Sequence, residues 1–499
     1  MADLRKRAVL LASGSLISTC FGLAVAAVLS RILDKPVYGT YQQAFLVYSL
    51  LLGVMSLNLG ASLLYFLPRL QDQQRKAIVG QSVVIGMIVG LAIGAVMFLG
   101  SPWIAEWLGN DSVVPLLYCV AIYAVFNQIT NMAPNGLIAM DRADLVFWYT
   151  VGCAVGRATV IVLPFLLGFD IQTVFFFIIG WEFVAAGLGL LLLRLSTGIS
   201  FRAITWHGLW KEFDYMWPLL AASILGTLSV QFDKAVVAVA FDPARFAEYA
   251  NGAMQLPLVF IVLGSINTAV LPEMSRHAGL GQIDAMLGLW RQAAIKGAAV
   301  IFPMVFFCIM CPDYLMVLLY GDKYLASALP FLIYCIGLTF RVVVYGSVFQ
   351  ALGRNRVQIG GAIVALVVGI TTTLLLIYLG QGTQLAFAGP AIGTIAATFG
   401  AAVYLTWQIS RLAHCPISRA LPFAALGKLA MLALGSAALA AAVRLVPLAP
   451  LFKVILMASV FSAAYMLVGL RFSLISSRDV QFLTGPLTRA AAKVFGAKS

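Results

Sequence analysis

Charged side chains are scarce: only 10% of the 499 residues are Asp, Glu, Lys or Arg, against roughly 25% in an ordinary soluble domain. Hydrophobic residues make up 62% of the chain, so too few polar groups remain to cover a water-soluble globule. The apolar surface must face lipid. Histidine is rarer still; His207, His277 and His414 are the only three, and they form no metal-ligand pattern. The seven cysteines sit almost entirely inside apolar runs, which is a poor disulfide framework. Cys308 and Cys311 have the spacing of a redox pair, but packing of small apolar side chains within a membrane helix is the favoured reading. No Gly-rich phosphate loop with its Lys occurs. ATP is thereby excluded as a direct energy source within this chain, and neither a catalytic constellation nor a cofactor motif is found.

What the chain has in abundance is long apolar runs, with a mean hydropathy of +0.98. A spanning helix needs about 20 mainly apolar residues, and about fourteen such runs are present. They fall near 8–33, 37–67, 77–99, 113–139, 144–168, 171–194, 212–241, 246–275, 285–310, 328–352, 357–379, 386–411, 420–444 and 451–471. The runs lack the period-2 alternation of a barrel wall. The fold class is therefore an all-α polytopic membrane protein.

The net charge of +13 does not indicate nucleic acid. With the N-terminus in the cytoplasm, 21 Lys and Arg fall in cytoplasmic segments and 5 on the opposite side. This asymmetry sets topology and places both termini in the cytoplasm. Arg5-Lys6-Arg7 followed by an apolar run and Ala24-Val25-Ala26 resembles a secretory signal. Cleavage is not expected, because no soluble domain follows and the segment has an internal counterpart.

That counterpart belongs to a duplication. Asp34 and Tyr41 recur as Asp242 and Tyr249, Tyr38 as Phe246 and Gln43 as Asn251, all at an offset of 208. Gly109 recurs as Gly321, and Ala139–Arg142 as Ala351–Arg354, at 212. Six spans separate the copies, so both have the same orientation, related by a pseudo-two-fold axis along the membrane normal. The expected organisation is an N-lobe over 1–200, a C-lobe over 201–415, and two unpaired spans with a cytoplasmic tail over 416–499.

Leu29-Ser30-Arg31-Ile32-Leu33 and Tyr38-Gly39-Thr40-Tyr41 resemble the entry signature of Wzx-type polysaccharide flippases. Phe232-Asp233-Lys234, Leu271–Ser275, Leu319–Tyr324, Ala351–Arg354 and Gly389–Gly393 are similar to further patterns of that family, in family order, over roughly 8–411. The resemblance implies the multidrug/oligosaccharidyl-lipid/polysaccharide exporter superfamily: two six-helix lobes around a central cavity. Fourteen spans suit the polysaccharide and lipid II flippases better than the twelve-span drug exporters. It also implies a bacterial inner membrane, a lipid-linked oligosaccharide as partner beside membrane lipids, and a polysaccharide polymerase and chain-length regulator as neighbours.

Carrying such a head group requires cations for phosphate and amides or aromatics for sugar. A charge inside the membrane is costly, so each one is a site candidate. Six cations lie inside spans: Arg31, Arg157, Lys234, Lys296, Arg341 and Lys428. Arg31, Lys296 and Lys428 read as snorkelling residues near span ends. Arg157, Lys234 and Arg341 are the phosphate-binding candidates, with structural pairing to a carboxylate as the alternative. Glu182 and Asp233 are the deepest acids and the proton- or ion-coupling candidates, against the alternative of structural ion pairs. Asn127, Asn131 and Asn135 form one polar stripe, with Pro134 able to bend that helix. With Gln43 and Asn251 they are the glycan-contact candidates, and amide bonding between packed helices is the other reading. The glycines at 86, 90, 94, 389 and 393 read as close-packing positions.

The leading expectation is thus an ion-driven flippase working by alternating access. A cation-coupled multidrug exporter or lipid II flippase is the alternative. A membrane glycan polymerase or ligase is disfavoured, because the longest extracytoplasmic loop, about 311–327, is under 20 residues.

Overall fold

The computed structural model describes residues 2–472, and among them every regular element is a helix. The chain divides into two compact units, Met1–Ala250 and Asn251–Ser499. The first holds α1 (Ala2–Ile32), α2 (Lys35–Met55), α3 (Leu59–Phe66), α4 (Asp72–Leu108), α5 (Val114–Ala139), α6 (Ala143–Leu166), α7 (Ile171–Thr197), α8 (Trp206–Ala240) and most of α9 (Pro243–Gly252). The second holds α10 (Pro257–Gly279), α11 (Ile283–Met310), α12 (Pro312–Tyr320), α13 (Ala328–Phe340), α14 (Tyr345–Ala351), α15 (Arg356–Leu379), α16 (Gln384–Leu412), α17 (Ile417–Ala420), α18 (Phe423–Ala441) and α19 (Pro450–Arg471). Among the described residues, 13 helices are long and apolar enough to cross a bilayer, or 14 with the bent pair α2–α3 as one span.

Helix ends follow local chemistry. Asp170, Thr205 and Thr383 accept backbone N–H bonds at the starts of α7, α8 and α16, as N-caps do. The duplication is written in the backbone. Tyr38 N–H donates to Asp34 O and Phe246 N–H to Asp242 O. Gly109 and Gly321 both take positive φ. After α5, Asp141 adopts φ 63° while Arg142 N–H returns to Leu137 O; after α14, Gly353 adopts φ 66° while Arg354 N–H returns to Phe349 O. The same helix-closing turn thus recurs at the offset of 212.

Small residues set helix spacing, as expected. A Cβ on Gly90 or Gly94 would lie 2.7 Å from the backbone of α5, and one on Gly393 would lie 2.1 Å from Thr373 Oγ1 of α15. Gly39 is tighter: its Cβ would lie 1.8 Å from Pro243 O. The start of α2 therefore rests directly on the start of α9, and Lys35 reaches Glu248 at 2.5 Å.

Several expectations are corrected. The second run is bent by 42° where Ser56–Asn58 interrupt it, with Asn58 left-handed. The eighth breaks at 253–256, after Gly252 and before Pro257, so its membrane span starts at Pro257. The tenth breaks at 341–344. The apolar part of the seventh is confined to Ser223–Ala240. Lys296 is exposed on the middle turns of α11 rather than near its end. The sequence places all three histidines in cytoplasmic loops, but His277 lies in the last turn of α10 and His207 in the first of α8. The segment 311–327 is not a loop but α12 followed by a 3-10 turn. Sequence repeat and packing also divide the chain differently: the repeat turns over near 200, whereas α8 packs on α2, α3 and α4 of the first unit.

Candidate functional site

The deepest polar cluster of the first unit is built on α5, α6 and α7. Glu182 of α7 is wholly buried, and Arg157 of α6 reaches its Oε2 through Nη2 at 2.8 Å. A small residue permits this approach. Gly156 lies under the Trp181 indole, where a Cβ would come within 1.9 Å of the ring. The other carboxylate oxygen, Oε1, accepts from Asn127 Nδ2 at 2.7 Å. Asn127 Nδ2 also donates to Tyr123 Oη, while its Oδ1 accepts from Tyr48 Oη and from Asn131 Nδ2, both at 2.7 Å. Asn135 Nδ2 continues the stripe to Asn131 O at 3.4 Å. A buried anion is tolerable only when it is paired and hydrogen-bonded, and Glu182 meets both conditions.

This cluster has an open side. A cavity of about 360 Å³ is lined by α1, α2, α5 and α6, a volume within the ordinary range of ligand sites, about 300–1,000 Å³. Arg157, Asn131, Thr130, Thr150, Tyr41 and Tyr149 give it polar walls; Phe21, Val25 and Ile161 give it apolar ones. Arg157 keeps 40% of its side chain exposed. One bond to Glu182 engages one of its five donors. The residue thus combines both readings open from the sequence: it pairs with a carboxylate and lines a cavity.

The other candidates lie elsewhere. Gln43 is fully buried; its Nε2 donates to Ala238 O at 3.3 Å and its Oε1 accepts from Asn110 Nδ2 at 2.8 Å. Its bonds therefore join α2, α8 and the turn after α4. Asp233 is buried and accepts from Tyr249 Oη at 2.6 Å. Lys234 is half-buried one residue on. In the second unit, Asn251 is buried at the end of α9. Arg341 stands at the break between α13 and α14, 6.0 Å from the centre of the Phe260 ring. The repeat aligns this break with residues 129–132 of α5, the level of Asn131. The helix is continuous there, so the break belongs to the second unit alone.

Sequence reasoning missed Glu212. It is fully buried near the start of α8, where Oε1 accepts from Ser62 Oγ and Ser82 Oγ. It opens the seventh apolar run, 212–241, beside Lys211, and nothing in its spacing marks it as buried. Among the described residues no group of three or more His, Cys, Asp or Glu could hold a metal ion.

Residues 28–329, more than half of the chain, match the model of a family described as polysaccharide biosynthesis protein. The chain belongs to that family. No curated protein matches it by sequence. Among solved structures, a lipid II flippase MurJ in an inward closed conformation superposes with TM-score 0.68 at 12% identity, covering 93% of this chain and 99% of that one. An inward-facing multidrug resistance MATE family transporter of the MOP superfamily gives TM-score 0.65 at 13% identity over 80% of this chain and 95% of that one. A point mutant of the Vibrio cholerae MATE transporter VcmN gives 0.56 at 17% over 82% and 97%. The protein is thus a multi-pass membrane protein of polysaccharide biosynthesis with the MurJ/MATE fold, a fold of flippases and transporters.

Proposed function

We propose that this protein is a flippase that moves a lipid-linked oligosaccharide, of the undecaprenyl-pyrophosphate type, from the cytoplasmic to the periplasmic leaflet during surface polysaccharide synthesis. It works by alternating access in the bacterial inner membrane, with both termini cytoplasmic and an ion gradient as driving force. The observation that carries this reading is Arg157: a cation half-exposed in a hydroxyl- and amide-lined cavity deep among apolar helices. A guanidinium fork binds phosphate oxygens in pairs, and Asn131, Thr130 and Thr150 suit sugar hydroxyls. Lys234 and Arg341 are the further phosphate-binding candidates, and Asn135 lies one turn beyond Asn131 on the same stripe. Gln43 and Asn127 hold their places as packed amides in the first unit, and Asn251, buried in the second, is a further glycan-contact candidate. Glu182 and Asp233 are the coupling carboxyls.

Lipid II, a lipid-linked glycan of the same chemistry, is the second reading. It is favoured by coverage, since the MurJ superposition takes in 93% of this chain and the MATE ones 80–84%. The experiment is surface-glycan export in cells carrying Arg157→Ala or Arg341→Ala. Each abolishes export with protein levels intact, and Lys at either site restores it in part. Normal surface polysaccharide with both neutralised refutes a phosphate-binding role.

A further inference from the structure

Among the described residues of the first unit four acids are buried: Glu182, Glu212, Asp233 and Glu248. Glu182 has Arg157, and Glu248 has Lys35 and Arg245. Asp233 has the Tyr249 hydroxyl. Glu212 differs from Glu182 and Glu248 in having no cation beside it among the described residues. It is held only by neutral hydroxyls, Ser62 Oγ at 2.7 Å from α3 and Ser82 Oγ at 2.5 Å from α4, both on Oε1. Its Oε2 is buried with no hydrogen-bond partner.

The charged groups of the surrounding elements are committed elsewhere or turned away. Arg69, after α3, lies over the Tyr65 ring, which itself stacks on Tyr215. On α4, Arg75 bonds Leu67 O and Leu70 O and approaches Asp72, while the Lys76 side chain lies along Gly198. On α2, Lys35 is held by Glu248 and Tyr48 by Asn127. On α8 itself, His207, Lys211 and Asp214 make no ion pair with Glu212 among the described residues. Trp206, Trp210, Phe213 and Trp217 are exposed along a different stripe of the helix. Their i, i+4, i+7, i+11 spacing puts them on one face, and Glu212 falls away from it, towards α3 and α4.

A carboxylate oxygen with no donor in a buried site is unfavourable as an anion. The neutral carboxyl is the less costly form: the two hydroxyls fill the lone pairs of Oε1, the carbonyl oxygen, and Oε2 carries the proton as a neutral O–H without an acceptor, a smaller penalty than an unpaired charge. Glu212 lies before the apolar Ser223–Ala240 stretch, and burial pushes its carboxyl up to about 7, against a smaller opposing effect of the two hydroxyls.

We propose that Glu212 is a proton-binding site of this protein. The protonated carboxyl seats α8 on α3 and α4 through Ser62 and Ser82, and loss of the proton unseats it. The inference goes beyond the glycan reading and does not depend on it.

The test is an infrared pH titration of the purified full-length protein in lipid nanodiscs, with no glycan present. Wild type is expected to show a protonated-carboxyl C=O stretch that is lost with a midpoint near neutral pH and is absent from Glu212→Gln. Hydroxyl donors favour the charged form, so Ser82→Ala moves the midpoint up by about half a pH unit or more. The serine variant keeps the acid and gives a reading even where Glu212→Gln fails to fold. Persistence of the wild-type signal in Glu212→Gln, or an unmoved midpoint in Ser82→Ala, overturns the assignment. Arg157→Ala, which removes the proposed phosphate contact, keeps the titration, so failure of the glycan reading and failure of this one are told apart.

Discussion

Arg157 and Glu182 meet across α6 and α7 through a bond of 2.8 Å, with the carboxylate wholly buried and the arginine side chain 40% exposed on a cavity. The cation that faces the cavity is thus positioned by the acid behind it. Removing one partner of a buried pair leaves the other uncompensated, which costs about 3–5 kcal/mol when both are buried. The open side of Arg157 lowers this to about 1–3 kcal/mol. Thermal unfolding of detergent-purified protein should show Glu182→Gln and Arg157→Ala each destabilised, and the double variant less so than their sum. Export should stay lost in the double variant, because the cation is absent whatever stability is regained. Strict additivity of the two stability changes would show that the pair is not coupled.

Asp141 and Gly353 occupy one turn of the repeat with the same left-handed φ. A non-glycine residue there is disfavoured by about 1–2 kcal/mol, less for Asp, which tolerates the region. Asp141 also bonds Arg7, but with its side chain 75% exposed, and such a pair contributes about 0–1 kcal/mol. Asp141→Gly is therefore expected to be close to neutral, and Gly353→Ala to destabilise by about 1 kcal/mol. Thermal unfolding of the two variants side by side checks this. A clear loss in Asp141→Gly would assign the weight to the ion pair instead.

Much of this architecture is legible in the sequence because the bilayer imposes it: backbone groups must be satisfied within helices, and apolar runs reveal them. The Asn127–Asn131–Asn135 stripe is legible for the same reason, polar residues at helical period on an apolar helix. Its continuation through Glu182 to Arg157 is not, since those residues come from three helices and nothing in their spacing joins them. The break at 341–344 is hidden because Phe340–Val344 contains neither Pro nor Gly. Glu212 is hidden because burial there comes from α3 and α4, more than 100 residues away in sequence.

Stability should carry the mark of Glu212. Its folded carboxyl titrates higher than a free one, near 4.3, so its contribution is full at low pH and is lost as pH rises towards about 7. Wild-type melting temperature should fall by a few degrees between about pH 5 and about pH 8. Glu212→Gln should flatten that slope. An unchanged slope in the variant assigns the dependence to other groups.

Topology follows from the Lys and Arg asymmetry. Reporter fusions after residues 35, 110, 320 and 382 are expected to report the extracytoplasmic side. The structure puts 110 and 382 in turns and 35 and 320 at helix ends. Cytoplasmic signals at two or more of these sites would overturn the orientation.

Energy coupling is the last expectation. The sequence holds no nucleotide-binding motif, so export against a gradient draws on ions, or on polymerisation that removes the product. Glu182 shares its bonds with Arg157 and Asn127, so a phosphate on Arg157 and a proton on Glu182 would each change the charge felt by the other. Asp233 is held by Tyr249, the repeat mate of the cavity residue Tyr41. Either ligand shifts the balance of conformations only through its different affinity for each. Glu182→Gln and Asp233→Asn are therefore expected to uncouple transport from a proton gradient. Proteoliposomes loaded with lipid-linked glycan, with and without an imposed pH gradient, supply the measurement. Should wild type and both variants respond equally, these carboxyls are structural. A wild type indifferent to the gradient leaves sodium coupling or a passive flippase, and proton coupling through these groups is then refuted.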